Sequence, residues 1–310
     1  MTDRLPLLID CDPGHDDAVA ILVGYRHFDL KAVTTVHGNS PLENTTRNAL
    51  AVMELAGIEG VPVARGAAKP LVGEAPNAAS VHGKSGLDGH ELPPPVMQPI
   101  GDHAVDVIIE TARQHQGELI LSVIGPATNI ALALLREPRL AGWVREVTVM
   151  GGSAHFGNIT PAAEFNTYCD PEALAQILAA EWPVRLVGYD VTTTVGIDLP
   201  NIEKLRASGK RTATVIADLL QFYRESQVER MGVKHAPMHD ACSLIPFVDP
   251  ACMEYLETRV EVELQGKHTR GMTVCDLRGR PVDNPNARIA CNPDRPRLVG
   301  LMMDTVLSYD

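Results

Sequence analysis

The chain has 310 residues, 45% of them apolar and 21% charged, with a mean hydropathy of -0.02, an apolar content that excludes intrinsic disorder. Lys and Arg number 27 against 39 Asp and Glu, a net charge of -12, so phosphate backbones and anionic membranes are repelled, and no basic run makes a local exception. No later run nears the roughly 18 apolar residues of a spanning helix, and the opening MTDRLPLLIDCD is broken by Asp10 and lacks a small-residue cleavage site, so a cytoplasmic protein with neither nucleic acid nor membrane as partner is expected.

In chain order, Leu5–Ile9, Leu30–Val36, Val61–Ala64, Leu119–Ile124, Glu146–Met150 and Val184–Val187 read as strands. Helical runs separate them, which predicts an α/β fold with an open, mostly parallel sheet flanked by helices. Ser40-Pro41-Leu42-Glu43 has the form of a capping box, Asp102 is placed to cap a run to about Gln116, and Asp170-Pro171 opens a further helix. Gly57 and Gly117 are placed as helix stops. Residues 66–100 carry many Gly and Pro with little periodicity, a connection long enough to predict a functional loop. Beyond Pro200 come a long helix around Arg211–Met231, a helix after Asp240, strands near Glu254–Leu264, Gly271–Cys275 and Ala287–Cys291, and a last helix from about Asp294. No flexible linker interrupts this order, so a single domain over residues 1–310 is expected. The six cysteines form no CxxC pair and read as reduced thiols.

Chemistry concentrates in Asp10-Cys11-Asp12-Pro13-Gly14-His15-Asp16-Asp17, which sets four carboxylates within eight residues at the end of the first strand. Strand alternation turns Asp10 and Asp12 the same way, Pro-Gly bends the chain, and Asp16 and Asp17 follow at a helix start, so the carboxylates converge. Two such charges at 4 Å repel by about 1 kcal/mol in water and about 4 kcal/mol at an effective dielectric of 20. A hard divalent cation offsets that repulsion, and an all-oxygen donor set favours Ca²⁺ or Mg²⁺ over zinc, with mixed carboxylate and carbonyl ligands suiting Ca²⁺. The plainer alternative is an Asp-Pro-Gly turn with two acids favouring a helix N-terminus.

Other polar residues stand where later strands end: His37-Gly38-Asn39, Gly125-Pro126, Gly151-Gly152 and Asp190. In an open parallel sheet these ends border one crevice. Asn158 and Ala163-Glu164-Phe165-Asn166 supply an amide and carboxylate array suited to several hydroxyls at once, as sugar recognition requires. His239-Asp240 precedes a helix, and without a G-x-S-x-G elbow it reads as a general acid beside a metal ligand rather than as part of a triad. Gly83-Lys84-Ser85 lacks the upstream glycine of a phosphate loop, and no G-x-G-x-x-G follows the first strand, so neither a nucleoside triphosphate nor a dinucleotide site is expected.

Taken together, Leu8 to Ala18, His37-Gly38-Asn39, His82-Gly83-Lys84-Ser85-Gly86, Met150-Gly151-Gly152, Ala163 to Asn166 and His239-Asp240 resemble the inosine-uridine-preferring nucleoside hydrolases, from about residue 5 to 305. The resemblance implies a single-domain α/β fold with a mixed sheet, acting on a small-molecule ribonucleoside with Ca²⁺ as cofactor, as a homo-oligomer, either tetramer or dimer. It places Asp12, Asp17, the Ile124 carbonyl oxygen and Asp240 on the ion, with Asp10 in support. Asp16 and Asn166 are implied to bind the ribose 2′- and 3′-hydroxyls, and Asn39, Asn158 and Glu164 to complete the cradle. His82, Phe165, Gln227, Met231 and His235 fall on the base side. The implied reaction is hydrolysis of the N-glycosidic bond by a Ca²⁺-held water whose proton Asp12 takes, with His239 as acid for the leaving base.

Two departures bear on specificity. Pyrimidine-preferring relatives tend to have a phenol about four residues after the glutamine of the late helix, where this chain has Gln227 and then Met231, with His235 as an additional imidazole. Lys84 replaces the more usual acid of His-Gly-x-Ser-Gly. The DCDPGHDD spelling and Leu87-Asp88-Gly89 look most like the cytidine- and uridine-preferring branch. Two rival readings stand beside this one: a Mg²⁺-dependent phosphatase with a strand-tip aspartate, for which Thr192 to Thr194 are the loose candidate phosphate holders, and a nucleoside-binding protein without turnover.

Overall fold

The computed structural model describes residues 4–74, 76, 78–279 and 281–310. Six strands lie in the first two-thirds: β1 (Pro6–Cys11), β2 (Asp29–Thr35), β3 (Val63–Arg65), β4 (Ile120–Val123), β5 (Glu146–Met150) and β6 (Val184–Val187). Six more follow, namely β7 (Gly196–Ile197), β8 (Ala236–Pro237), β9 (Glu254–Thr258), β10 (Val260–Val262), β11 (Thr273–Cys275) and β12 (Ala287–Cys291). The central sheet has eight strands in the order β3-β2-β1-β4-β5-β6-β12-β9. Its pairs are parallel except for β12 with β9. Two small antiparallel pairs, β10-β11 and β7-β8, stand apart from it.

Helices cover both faces, so β1 reads as an unbroken buried run. Alternation still sorts its side chains: Leu7, Ile9 and Cys11 join one apolar core with the helices His15–His27, Leu42–Leu55, Arg211–Met231 and Arg295–Leu307, while Leu8 joins the other core with Ile108, Leu121 and Ile130. Among the described residues no helix is long and apolar enough to cross a membrane. All six cysteines are unbridged, in keeping with the expected reduced thiols.

The strand order fixes where a ligand site forms. From β1 the chain moves outward through β2 and β3, then returns to the other side of β1 for β4, β5 and β6. The turn of direction between β1 and β4 is a topological switch point, and the loops after the two strands part there to leave a crevice at their carboxyl ends.

Several expectations are corrected in detail. No capping box forms at Ser40: the helix begins at Leu42 after Pro41, and the Ser40 hydroxyl accepts from Asn44 Nδ2 at 2.8 Å. His103, not Asp102, caps the helix Ala104–Gln114, its Nδ1 accepting from the Val105 amide at 3.2 Å. The Glu254–Leu264 run divides at Arg259, because β9 pairs with β12 whereas β10 pairs with β11. Strand β1 ends at Cys11, so Asp12 escapes the alternation that was expected to aim it with Asp10. By contrast, Asp170 does cap the helix Pro171–Ala179, and its carboxylate also accepts from Thr128 Oγ1 and the Leu71 amide.

Asp10 therefore faces inward as a strut. Its Oδ1 accepts from Thr34 Oγ1 at 2.6 Å and Asn129 Nδ2 at 2.8 Å, and burial pushes its carboxyl up to about 7. Asn129 ties this acid to the Thr35 carbonyl and the Ala67 amide, joining β1, β2 and the long connection. Removing the amide strands buried partners on three segments, so Asn129→Ala is expected to cost about 1–3 kcal/mol in urea unfolding; unchanged stability would show the strut to be idle.

Candidate active site

Four acids meet beyond the end of β1, apart from Asp10. Carboxylate oxygens of Asp16, Asp17 and Asp240 lie within 4.8 Å of one another, and all three residues are buried. Asp12 borders them: its Oδ2 accepts from the Asn39 amide at 2.6 Å, while its Oδ1 is buried without a hydrogen-bond partner. Asp16, implied by the resemblance to bind ribose, thus stands with the acids as closely as Asp17 does.

Local sequence builds this cluster. The bend at Pro13-Gly14 starts the helix His15–His27, whose third residue Asp17 reaches back to accept from the Gly14 amide at 2.8 Å. Asp16 accepts from the backbone amide of His239, which sets Asp240 beside it from a distant segment. Two glycines make room for Asp12. A Cβ at Gly125 would lie 2.7 Å from its Oδ1, and one at Gly38, whose φ is +153°, would collide with its Oδ2.

Burial with mutual repulsion dominates the electrostatics. Desolvation, then the charge of Asp17, push Asp16 up to about 8, and desolvation pushes Asp17 up to about 6 against the amides that hold it. Asp12 and Asp240 are also driven well above the ordinary carboxylate range, first by burial and then by their acidic neighbours. An orphaned buried oxygen within an all-oxygen cluster fits a hard cation: the ion would take the unpaired lone pairs and offset the repulsion. The Ile124 carbonyl borders the same space and already accepts from Asn166 Nδ2 at 3.1 Å.

The cluster floors a cleft of about 810 Å³, open mouth included, to which Asp16 and Asp240 contribute directly while Asp12 and Asp17 lie behind. Asn39, Asn158, Glu164, Phe165 and Asn166 line it. The two oxygens of Glu164 accept from the amides of Gly152, Asn166 and Thr167. Asn166 Nδ2 bonds the carbonyls of Ile124 and Met150, which leaves Oδ1 as its open group. His82, Gln227, Met231 and His239 line it as well. His82 arrives on one helical turn, Ala79–His82, within the long connection expected to be functional. His235 is not among the lining residues; its Nε2 lies 3.0 Å from the Thr193 carbonyl oxygen. Burial, reinforced by His235, pushes His239 down to about 3, so its ring is neutral near pH 7.

Sequence reasoning missed Tyr223, Tyr189 and Met150 in the lining. Tyr223 was findable, since Tyr223, Gln227 and Met231 recur at four-residue spacing along one face of the helix Arg211–Met231. It stacks on His15 and His82 with ring centroids 5.2 and 5.3 Å apart, and Phe222 stacks on the far side of His15 at 5.6 Å.

Acids whose folded-state pKa is raised favour the fold below the unfolded value near 4 and lose that contribution as pH climbs through about 6 to 8. The ion-free protein should therefore melt at lower temperature as pH rises from 5 to 8. At a fixed concentration, added Ca²⁺ should restore more at pH 8 than at pH 5, reaching about 2.7 kcal/mol at pH 8 when it stands at one hundred times its Kd there. Thermal melts in EDTA and in Ca²⁺ decide this, and melts indifferent to the ion at pH 8 would remove the cation from the site.

The family model for inosine-uridine preferring nucleoside hydrolases matches residues 7–300. A pyrimidine-specific ribonucleoside hydrolase, RihA, of Escherichia coli O9:H4 is 41% identical over 308 residues, covering 98% of this chain and 99% of its own. Among solved structures, a plant nucleoside hydrolase superposes with a TM-score of 0.92 at 30% identity over 98% of this chain and 99% of the other. A purine-preferring ribonucleoside hydrolase from Gardnerella vaginalis gives 0.91 at 27% identity over 98% of each. A switch-point cleft floored by buried acids, together with a match along nearly the whole length, establishes that the chain belongs to the inosine-uridine preferring nucleoside hydrolase family, enzymes that hydrolyse ribonucleosides.

Proposed function

We propose that the protein hydrolyses the N-glycosidic bond of ribonucleosides to ribose and free base, uridine and cytidine ahead of inosine, with Ca²⁺ as its ion. The observation that carries this reading is the buried, all-oxygen acid cluster beneath a cleft lined with amides. Asp12, Asp17, Asp240 and the Ile124 carbonyl would hold the ion, and Asp16, which stands among these acids and lines the cleft, would reach from there to the sugar. When bound, the ion supplies a Lewis-acid centre that acidifies water and orders vicinal hydroxyls.

The chain's own groups do the rest. Asp12 takes the proton of the attacking water through Oδ1, the oxygen without a protein partner. Asn166 turns its free Oδ1 to the ribose, with Asn39, Asn158 and Asp16 completing the cradle, and Glu164 holds the loop and helix that carry Asn166. These oxygens face the positive charge that develops on the ring as the C1′–N bond opens. His239 fills the acid's place beside the departing base as a neutral hydrogen-bond donor, and His82, Gln227, Phe165 and Met231 surround the base. The pyrimidine preference is supported by the 41% identity to a pyrimidine-specific hydrolase, and Gln227 offers both a donor and an acceptor to a pyrimidine edge. We further infer a single domain over residues 1–310, a homo-oligomer and a cytoplasmic location.

Purified protein given uridine, cytidine, inosine and adenosine should release ribose, fastest from the pyrimidines; phosphate from nucleotides with no ribose from any nucleoside would overturn the assignment. Asp12→Ala should abolish turnover, since base and ligand go together. His239→Ala should lower kcat by about 10²–10⁴-fold with little change in KM, and an unaltered kcat on uridine would take His239 out of the acid role.

A further inference from the structure

The run Thr192 to Thr194 has no phosphate to hold in a nucleoside hydrolase, yet its first member touches the active site. Thr192 closes the short helix Tyr189–Thr192 after β6, is wholly buried, and places Oγ1 2.8 Å from Nδ1 of His239. Two arrangements satisfy that distance, because a hydroxyl both donates and accepts and a neutral imidazole has one N–H and one lone pair. Either the ring donates to Thr192, leaving Nε2 bare, or Thr192 donates to the ring, and the ring's proton sits on Nε2.

The distance fits both, and the reaction decides between them: a base departing with its electron pair is met on Nε2 by an N–H rather than by a lone pair. The only other acceptor in reach of the Thr192 hydroxyl among the described residues is the Tyr189 carbonyl, 3.4 Å away and already accepting from the Thr193 amide at 2.9 Å. That contact is long, so the hydroxyl's single proton is weakly held there and is free to be donated to Nδ1. The His239 ring packs at a tilt against Tyr189 with centroids 5.5 Å apart and meets Thr192 at Nδ1, so two contacts orient the imidazole. With Nδ1 committed to Thr192, Nε2 is the nitrogen left for the cleft that His239 lines.

We propose that Thr192 is a positioning residue for departure of the base: its hydroxyl donates to His239 Nδ1 and so keeps the ring's one proton on Nε2, facing the substrate. The proposal rests on the ribonucleoside hydrolase reading. In that reaction the C1′–N bond breaks with its electron pair left on the base, the water oxygen bonds C1′, and the water's proton goes to Asp12. The Nε2–H donates a hydrogen bond to the base as it gains negative charge. Without the threonine hydroxyl, nothing ranks this tautomer above the other, whose Nε2 lone pair would repel the departing anion.

The test uses the whole protein and two leaving groups. Thr192→Val keeps the shape and removes the donor, whereas Thr192→Ser keeps the donor. On uridine, Thr192→Val should lose roughly tenfold or more in kcat with KM nearly unchanged, and Thr192→Ser should recover most of it. On p-nitrophenyl β-ribofuranoside, whose phenolate leaves unaided, Thr192→Val should match the parent protein. Equal losses on both substrates, or none on uridine, would overturn the proposal. Long-range ¹H–¹⁵N spectra of the parent protein, with His239 assigned by substitution, should show Nε2 protonated and Nδ1 as acceptor; the reverse pattern overturns it whatever the variants do. A parent protein that releases no ribose from uridine would refute the function reading instead, and the spectra would still report the tautomer.

Discussion

Burying like charges against one another is the constraint around which the rest of this structure is arranged. Asp12, Asp16, Asp17 and Asp240 are all nearly inaccessible to solvent, and no lysine or arginine is among the hydrogen-bond partners of their carboxylates. Backbone amides of Asp12, Gly14, Asn39 and His239 supply partial compensation. That compensation is incomplete, since every one of the four is still driven upward in pKa. A fold that left this repulsion without a counterion would spend stability for nothing, and the oxygen-only character of the cluster states what sort of counterion it awaits.

The sheet makes such crowding possible. Because the chain reverses its direction of travel across β1, the loops after β1 and β4 diverge and leave a gap into which the aspartate bend, the Ile124 carbonyl and the start of the helix Ala241–Val248 all project. Behind the gap, Asp10 Oδ1 is held by Thr34 and Asn129 and so fixes the tip of β1. Close packing reaches the backbone too, where Gly38 and Gly125 stand where any side chain would invade the space of Asp12. Around His82 the lining is aromatic, with His82 pushed well below the usual imidazole range by burial, while Arg230 brings a positive charge to the cleft.

Much of this was legible from residue order. Strands β5, β6 and β12 and the helix Arg211–Met231 fall where apolar patterning puts them, because each is bounded by a strong turn or cap. The acids of residues 10–17 announced themselves by density. What sequence concealed was orientation. Asp10 and Asp12 are two residues apart, yet the strand stops between them, and a strand end is decided by pairing with β2 and β4 rather than by local propensity. Glu164 lines the cleft as its place in the array suggests, but its second task went unread: two and three residues ahead of free helix amides, it caps the helix Phe165–Cys169. Tyr223 was visible only by extending the Gln227 and Met231 stripe backward by one turn, and Thr192 drew notice only as a loose phosphate holder, since its partner His239 lies 47 residues away.

The turn bearing His82 rests on the body of the protein through contacts of a different kind from those of the acid floor. Its ring meets His15, the His15 Nε2 meets the Asp88 carbonyl, and the following loop leans on Arg47 and Asn48 through the Ser85 carbonyl. None of these contacts involves Asp12, Asp17 or Asp240. The stretch from the turn bearing His82 to Asp88 can therefore exchange residues over evolutionary time while those three acids stay untouched. Divergence within such an architecture is expected to accumulate in the roof, and descendants with altered appetites should share an almost invariant foundation.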